Sequence, residues 1–340
     1  MNPSPQLTVL ALLSLPFVAA TADPLKVQGI SCSIQEYHCP AENCPGETIA
    51  QRGNVTDILT GRNFFLDIPC DLEKGEDVVF VLNLHGGGSI GNWQRHYFPV
   101  MDHKDEYRLI VATPSGAVRA WVPDNDDEHL KNIVDYVYQK FADLNIKAFW
   151  LAGHSQGGQT SNRLINDGFF KDRLTGWVSI AGGRLGSERS TVRAHIPRSA
   201  PPPGSAGTPR PRGLVAYAEV LPDFPFSHIY TSGEHEIPAE KDLKLPSTSP
   251  WAEQLGCGTR VRVADVEDTR GGYVYDSREQ PNRNPIWGMD PGGGTAEVYV
   301  FPNCADGRVV ADIVRKGKGH TEGLEPNVTE EIVRLMLTAQ

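Results

Sequence analysis

The stretch Gly153-His154-Ser155-Gln156-Gly157-Gly158 constrains this chain most, because it follows at once on the apolar run KAFWLA at 147–152 and opens a stretch of helical spacing. A serine at that junction must occupy a tight, strained turn, and glycine on each side removes the Cβ atoms that would collide there. The N-terminal end of the helix then faces any negative charge that develops at the serine. G-x-S-x-G by itself is common. Lodged between a buried strand and a helix, it marks a nucleophile elbow, with Ser155 the candidate nucleophile.

The rest of the chain supplies a matching frame. Residues 78–84 read VVFVLNL and residues 109–112 read LIVA, apolar runs suited to strands buried on both faces of a parallel sheet. Within 126–144, Leu130, Ile133, Val134, Val137 and Phe141 recur at helical spacing after an acidic first turn. Further strands are predicted at 147–153, 177–183 and 228–233, with helices over 156 to about 167 and about 328–337. This alternation points to a doubly wound, mostly parallel α/β sheet with helices on both faces. With the elbow, the expected class is the α/β-hydrolase fold. Two stretches break the rhythm: 193–212 is dense in Pro, Gly and Arg and reads as an exposed excursion, and 273–294 carries Trp287 and a glycine run. The expected organisation is a signal segment at 1–22, a cysteine-containing extension at 23–60, and one catalytic domain at 61–340 with excursions at about 184–225 and 265–295.

Composition narrows the function classes. With a net charge of −10 and basic residues scattered along the chain, no phosphate-binding surface is expected, and nucleic acid is excluded as a partner. The N-terminal LTVLALLSLPFVAATA has the shape of a secretory signal; it is shorter than the roughly 20 residues of a membrane span, and Pro16 interrupts it. No later run is long enough to cross a bilayer. The six cysteines, Cys32, Cys39, Cys44, Cys70, Cys257 and Cys304, are an even number, which in an exported chain favours disulfides. Cys39 and Cys44 flank a short loop, but no second pair stands at zinc spacing, so no metal is expected. Asn54 and Asn327 head N-x-T sequons.

Upstream of the elbow, Leu84-His85-Gly86-Gly87-Gly88 closes the earlier strand, where the second half of an oxyanion hole belongs. The expected donors are the N–H groups of Gly87, Gly88 and Gln156; losing one such donor typically costs about 3–4 kcal/mol of transition-state stabilisation. The loop lacks the Lys-Ser/Thr ending of a phosphate-binding loop. Chain order in this fold is Ser, acid, His. Among the histidines, His235 and His320 follow the acid-bearing strand HIYTSG; His320, in RKGKGHTEG between the strand-like VVADIV and the last helix, is the expected base, and His235 comes too early. For the acid, Glu236, Glu234 and Asp242 compete after that strand, with Glu236 preferred.

From about residue 65 onward, the order LHGGG, Trp121 before Asp126 and Asp127, GHSQGG, WAEQLGC, Cys304 and GKGH resembles the esterase family that contains feruloyl esterases, acetyl xylan esterases and polyhydroxybutyrate depolymerases. The resemblance implies a secreted serine esterase acting on a feruloyl- or acetyl-type ester, with neither metal nor organic cofactor. It puts the acid three residues after Gly233, at Glu236, where this chain has Glu for the family's Asp. It pairs Cys257 with Cys304, and Trp121 and His154 are taken with it as substrate contacts. A polyester depolymerase is the nearer alternative, disfavoured because the chain ends soon after His320 with no polymer-binding domain. A serine peptidase or a catalytically silent binding protein would use the same fold; the intact Ser, His and glycine set speaks against silence. The first fifty residues of the mature chain match nothing in the family and are read as a structural appendage.

Overall fold

The computed structural model describes residues 53–186, 221–235, 245–269, 294–320 and 322–339. The signal segment, Cys32, Cys39, Cys44, the Pro-rich stretch 193–212, Trp287 and the acid candidates Glu236 and Asp242 lie outside the described residues.

Ten described strands make one sheet: β1 (Val55–Asp57), β2 (Arg62–Asp67), β3 (Asp77–Leu84), β4 (Leu109–Pro114), β5 (Asn145–His154), β6 (Gly176–Ile180), β7 (Ser227–His235), β8 (Val261–Glu267), β9 (Thr295–Phe301) and β10 (Val310–Gly319). Their order is β1-β2-β4-β3-β5-β6-β7-β10-β9-β8. The six central strands, from β4 to β10, are parallel to their neighbours, while β1, β2, β9 and β8 attach antiparallel at the two edges.

The apolar run of β3 sorts by the two-residue period of a strand. Val78, Phe80, Leu82 and Leu84 enter one core and Val79 and Val81 the other. Trp150 and Ala152 of β5 face the second core, Phe149 and Leu151 the first. The described α-helices are α1 (Gly91–Tyr97), α2 (Lys104–Tyr107), α3 (Asp127–Lys140), α4 (Gln156–Ile165), α5 (Gly168–Lys171), α6 (Pro250–Gln254) and α7 (Pro326–Thr338). The apolar stripe of α3 (Leu130, Ile133, Val134, Val137) closes the first core, and that of α7 (Val328, Ile332, Val333, Met336) closes the second. No helix among the described residues is long and apolar enough to cross a membrane.

The helix expected to reach 167 stops at Ile165, because the Asp167 carboxylate accepts the Phe169 N–H and starts α5 afresh. At the N-terminal edge, Val55–Asp57 pairs with β2 and so belongs to the same sheet. Cys257 and Cys304 are joined in a disulfide, and Cys70 is disulfide-bonded as well.

Candidate active site

β5 delivers Ser155 to the start of α4 with φ 49° and ψ −114°, a left-handed backbone that a non-glycine residue adopts only under constraint. Two close approaches impose it. A Cβ at Gly153 would lie 2.3 Å from the Gly157 carbonyl carbon, and one at Gly157 would lie 2.3 Å from the Leu84 carbonyl oxygen. Only glycines let the turn close on itself and against the end of β3. The Ser155 N–H donates to Ile180 O at 2.8 Å, extending the pairing of β5 with β6 one step into the turn.

The glycine loop after β3 packs directly over the elbow: a Cβ at Gly86 would meet the Ser155 Cβ at 3.4 Å, and one at Gly87 the Gln156 Oε1 at 3.2 Å. Three expected donors separate here. The Gln156 N–H is in the first turn of α4, where helical geometry provides no partner. Among the described residues nothing accepts the Gly87 N–H. The Gly88 N–H, by contrast, donates to the Arg119 carbonyl at 2.7 Å. Gly88 therefore anchors the loop, and its inclusion among the oxyanion donors is corrected: its hydrogen is already spent on a main-chain partner.

The segment from Gly116 to Val122 laces both halves of the hole together. Gly116 N–H donates to His85 Nε2 at 2.8 Å, and Trp121 Nε1 donates to the His85 carbonyl at 2.7 Å. The Trp121 N–H and carbonyl meet the Gln156 side-chain amide at 3.2 and 3.4 Å. Asp126, fully buried, accepts from Val122 N and Ala117 N and pairs with Arg62. Trp121 is only 4% exposed and packs, tilted by 33°, against the His85 ring at 4.6 Å. The expectation that it contacts substrate gives way to a supporting role, because its polar edge and its face are both used inside the protein.

His320 follows β10 and is 7% exposed. Its carbonyl accepts two hydrogen bonds, from Tyr97 Oη at 2.9 Å and from His154 Nε2 at 3.0 Å. A carbonyl only accepts, so His154 carries its proton on Nε2. Its ring packs, tilted by 30°, against Tyr97 at 3.9 Å and stands 4.9 Å from the His320 ring. Burial, and after it the His320 charge, hold the His154 imidazole well below the ordinary histidine range. His154 thus ties the elbow to the His320 loop as a neutral donor, and the expected substrate contact is replaced by this internal one.

Around the same loop lies a group of buried ions that sequence reading missed. Arg315 and Lys318 of β10, Asp268 just beyond β8, and Glu322 just beyond His320 are each no more than 2% exposed. Arg315 Nε donates to Asp268 at 2.8 Å, and its two terminal nitrogens donate to the carbonyls of Glu322 and Gly323 at 2.7 and 2.8 Å. Lys318 Nζ donates to Glu322 Oε1 at 2.9 Å. The cluster clamps the chain on both sides of His320.

Of the acid candidates, Glu234 accepts from the Lys316 ammonium and from the Gly317 N–H at 3.0 Å. Its carboxylate is committed to β10. The parallel register sets His235 opposite Gly319, the residue before His320.

The strand order, the antiparallel second strand, and a strained Ser at the strand-to-helix turn of β5 beneath a glycine loop define an α/β-hydrolase fold. No protein-family model matches the chain, and no curated protein does. Among solved structures it is similar to an acetyl xylan esterase from Aspergillus awamori, with 10% identity over 81% of this chain and 94% of that one and a TM-score of 0.42. It is also similar to the fluorophosphonate-binding serine hydrolase F of Staphylococcus aureus, at 21% identity over 35% of this chain and 52% of that one, TM-score 0.30. The S-formylglutathione hydrolase of the same organism matches at 21% over 36% and 53%, TM-score 0.30. The chain spans about half the length of these two staphylococcal proteins.

Proposed function

We propose that this chain is a secreted serine esterase that hydrolyses carboxylic esters through Ser155, His320 and Glu236, with feruloyl- or acetyl-type esters as substrates. The observation that carries the reading is Ser155 in its left-handed turn at the head of α4, with the N–H groups of Gln156 and Gly87 on its flank. His320 takes the Ser155 proton as Oγ attacks the ester carbonyl, then passes it to the departing alkoxide. The Gly87 and Gln156 N–H groups receive the charge on the tetrahedral oxygen, and water, activated by the same imidazole, releases the acyl group. Glu236 orients the imidazole and balances its positive charge. The engagement of Glu234 by Lys316 and Gly317 supports this choice.

Labelling by a fluorophosphonate probe, with turnover of 4-nitrophenyl acetate and methyl ferulate, tests the reading. Labelling and turnover should both vanish in Ser155→Ala, and Glu236→Gln should lose orders of magnitude in kcat while Glu234→Gln loses far less. A wild-type protein that takes no label, or a Ser155→Ala variant that still turns over, refutes it.

A further inference from the structure

Arg119 stands in the segment that braces the oxyanion hole. Its backbone is left-handed, with φ 58°. Its N–H closes a turn on Gly116 O at 3.1 Å, and its carbonyl holds the Gly88 N–H. Those are main-chain tasks, and at such a φ glycine or asparagine performs them with less strain. The long cationic side chain is not required by the turn.

What the side chain does is lie on an aromatic plate. The guanidinium sits 5.1 Å above the ring of Trp93, in the first turn of α1, directly after the glycine loop. Contact with an indole face restrains the arginine without consuming its N–H donors. Arg119 is exposed, and among the described residues no carboxylate pairs with it. Arg62, Arg108 and Arg163 by contrast each close on an acid: Asp126, Glu76 and Asp127. In a chain of net charge −10, Arg119 is thus an exposed cation that can meet an outside anion.

The same bonds place its backbone beside the oxyanion hole. Arg119 is joined to Gly88, next to the Gly87 donor, and two residues on Trp121 grips Gln156, next to Ser155. We propose that Arg119, restrained on Trp93, binds a carboxylate carried by the acyl part of the ester, making this a specificity-determining residue for acidic esters. The inference rests on the esterase reading above and deepens it by naming a substrate class. A planar guanidinium meets a carboxylate with two parallel hydrogen bonds, which favours an anionic group over a neutral one of the same length.

Mono-4-nitrophenyl adipate and 4-nitrophenyl heptanoate share a leaving group and chain length and differ in the terminal carboxylate, so the ratio of their kcat/KM values isolates that group once spontaneous hydrolysis is subtracted. In the wild-type protein the ratio should favour adipate and decline with added salt. Arg119→Gln should lower it about tenfold, mainly through KM on adipate, and abolish its salt dependence. Arg119→Lys should keep part of the preference, and Arg119→Gly, which relieves the backbone, should match Arg119→Gln. An unchanged ratio in Arg119→Gln, with both esters still cleaved, overturns this proposal alone. Failure of the wild-type protein to cleave either ester or to take a fluorophosphonate label overturns both this and the esterase reading.

Discussion

Replacing Lys318 by Met tests whether the buried ions around His320 act as one unit. Arg315, Lys318, Asp268 and Glu322 sum to zero charge, and all are no more than 2% exposed. The ammonium lies 2.9 Å from Glu322 Oε1 and 3.7 Å from Asp268 Oδ1. At an effective dielectric constant near 20 these two contacts are each worth about 4–6 kcal/mol of Coulomb attraction. Part of that is offset, because the variant no longer has to strip water from an ammonium. What remains is an excess negative charge in the interior, and breaking one partner out of such a group costs about 3–5 kcal/mol. Lys318→Met with Glu322→Gln removes one charge of each sign and should recover most of the loss. Urea unfolding of the wild type, both single variants and the double variant gives the coupling energy directly, provided the m-values agree. Because Arg315 grips the Glu322 and Gly323 carbonyls and Lys318 grips the Glu322 side chain, kcat on 4-nitrophenyl acetate should fall with Lys318→Met and return in part with the double variant. A loss under about 1 kcal/mol in Lys318→Met, or strictly additive single variants, would refute the reasoning.

Three further outcomes follow from the geometry. Tyr97→Phe removes one of the two donors on the His320 carbonyl and should cost about 1 kcal/mol in urea unfolding with a measurable fall in kcat, since His154 still holds the loop. Burial pushes the His85 imidazole down from 6.5 to about 4, and in the folded chain its Nε2 accepts the Gly116 N–H. The unfolded chain takes up that proton below about pH 6.5 while the folded one resists until about pH 4, so stability is full above that window and should decline by roughly 3 kcal/mol as pH falls through it; a urea midpoint that rises between pH 7 and pH 4.5 would contradict the assignment. The Cys257 to Cys304 bridge closes a loop with a sequence separation of 47, for which chain entropy predicts a loss of about 4 kcal/mol in Cys304→Ser, and an unchanged thermal midpoint would show that the loop is restrained by other contacts.

Much of this architecture is legible in local sequence. β3 and β5 announce themselves as unbroken apolar runs, α3 by its helical stripe, and the elbow by glycines that flank a serine between strand and helix. These signals are strong because each element's environment is the same along its length. The edge strands were missed for the opposite reason. β2 buries Phe64, Phe65 and Leu66 in succession and so lacks alternation, and β8 is largely exposed, so neither carries a period that reports a strand. At the site, residue types pointed to Ser155 and His320, but the tasks of their neighbours depend on partners far away in the chain. Only tertiary structure assigns the Gly88 N–H to Arg119, turns Trp121 inward onto His85, binds His154 to the His320 carbonyl, and gathers Asp268, Arg315, Lys318 and Glu322 into one buried cluster. Periodicity and turn chemistry are short-range properties that a sequence displays directly, whereas the pairing of a buried polar group is decided by which strands and loops fold against it.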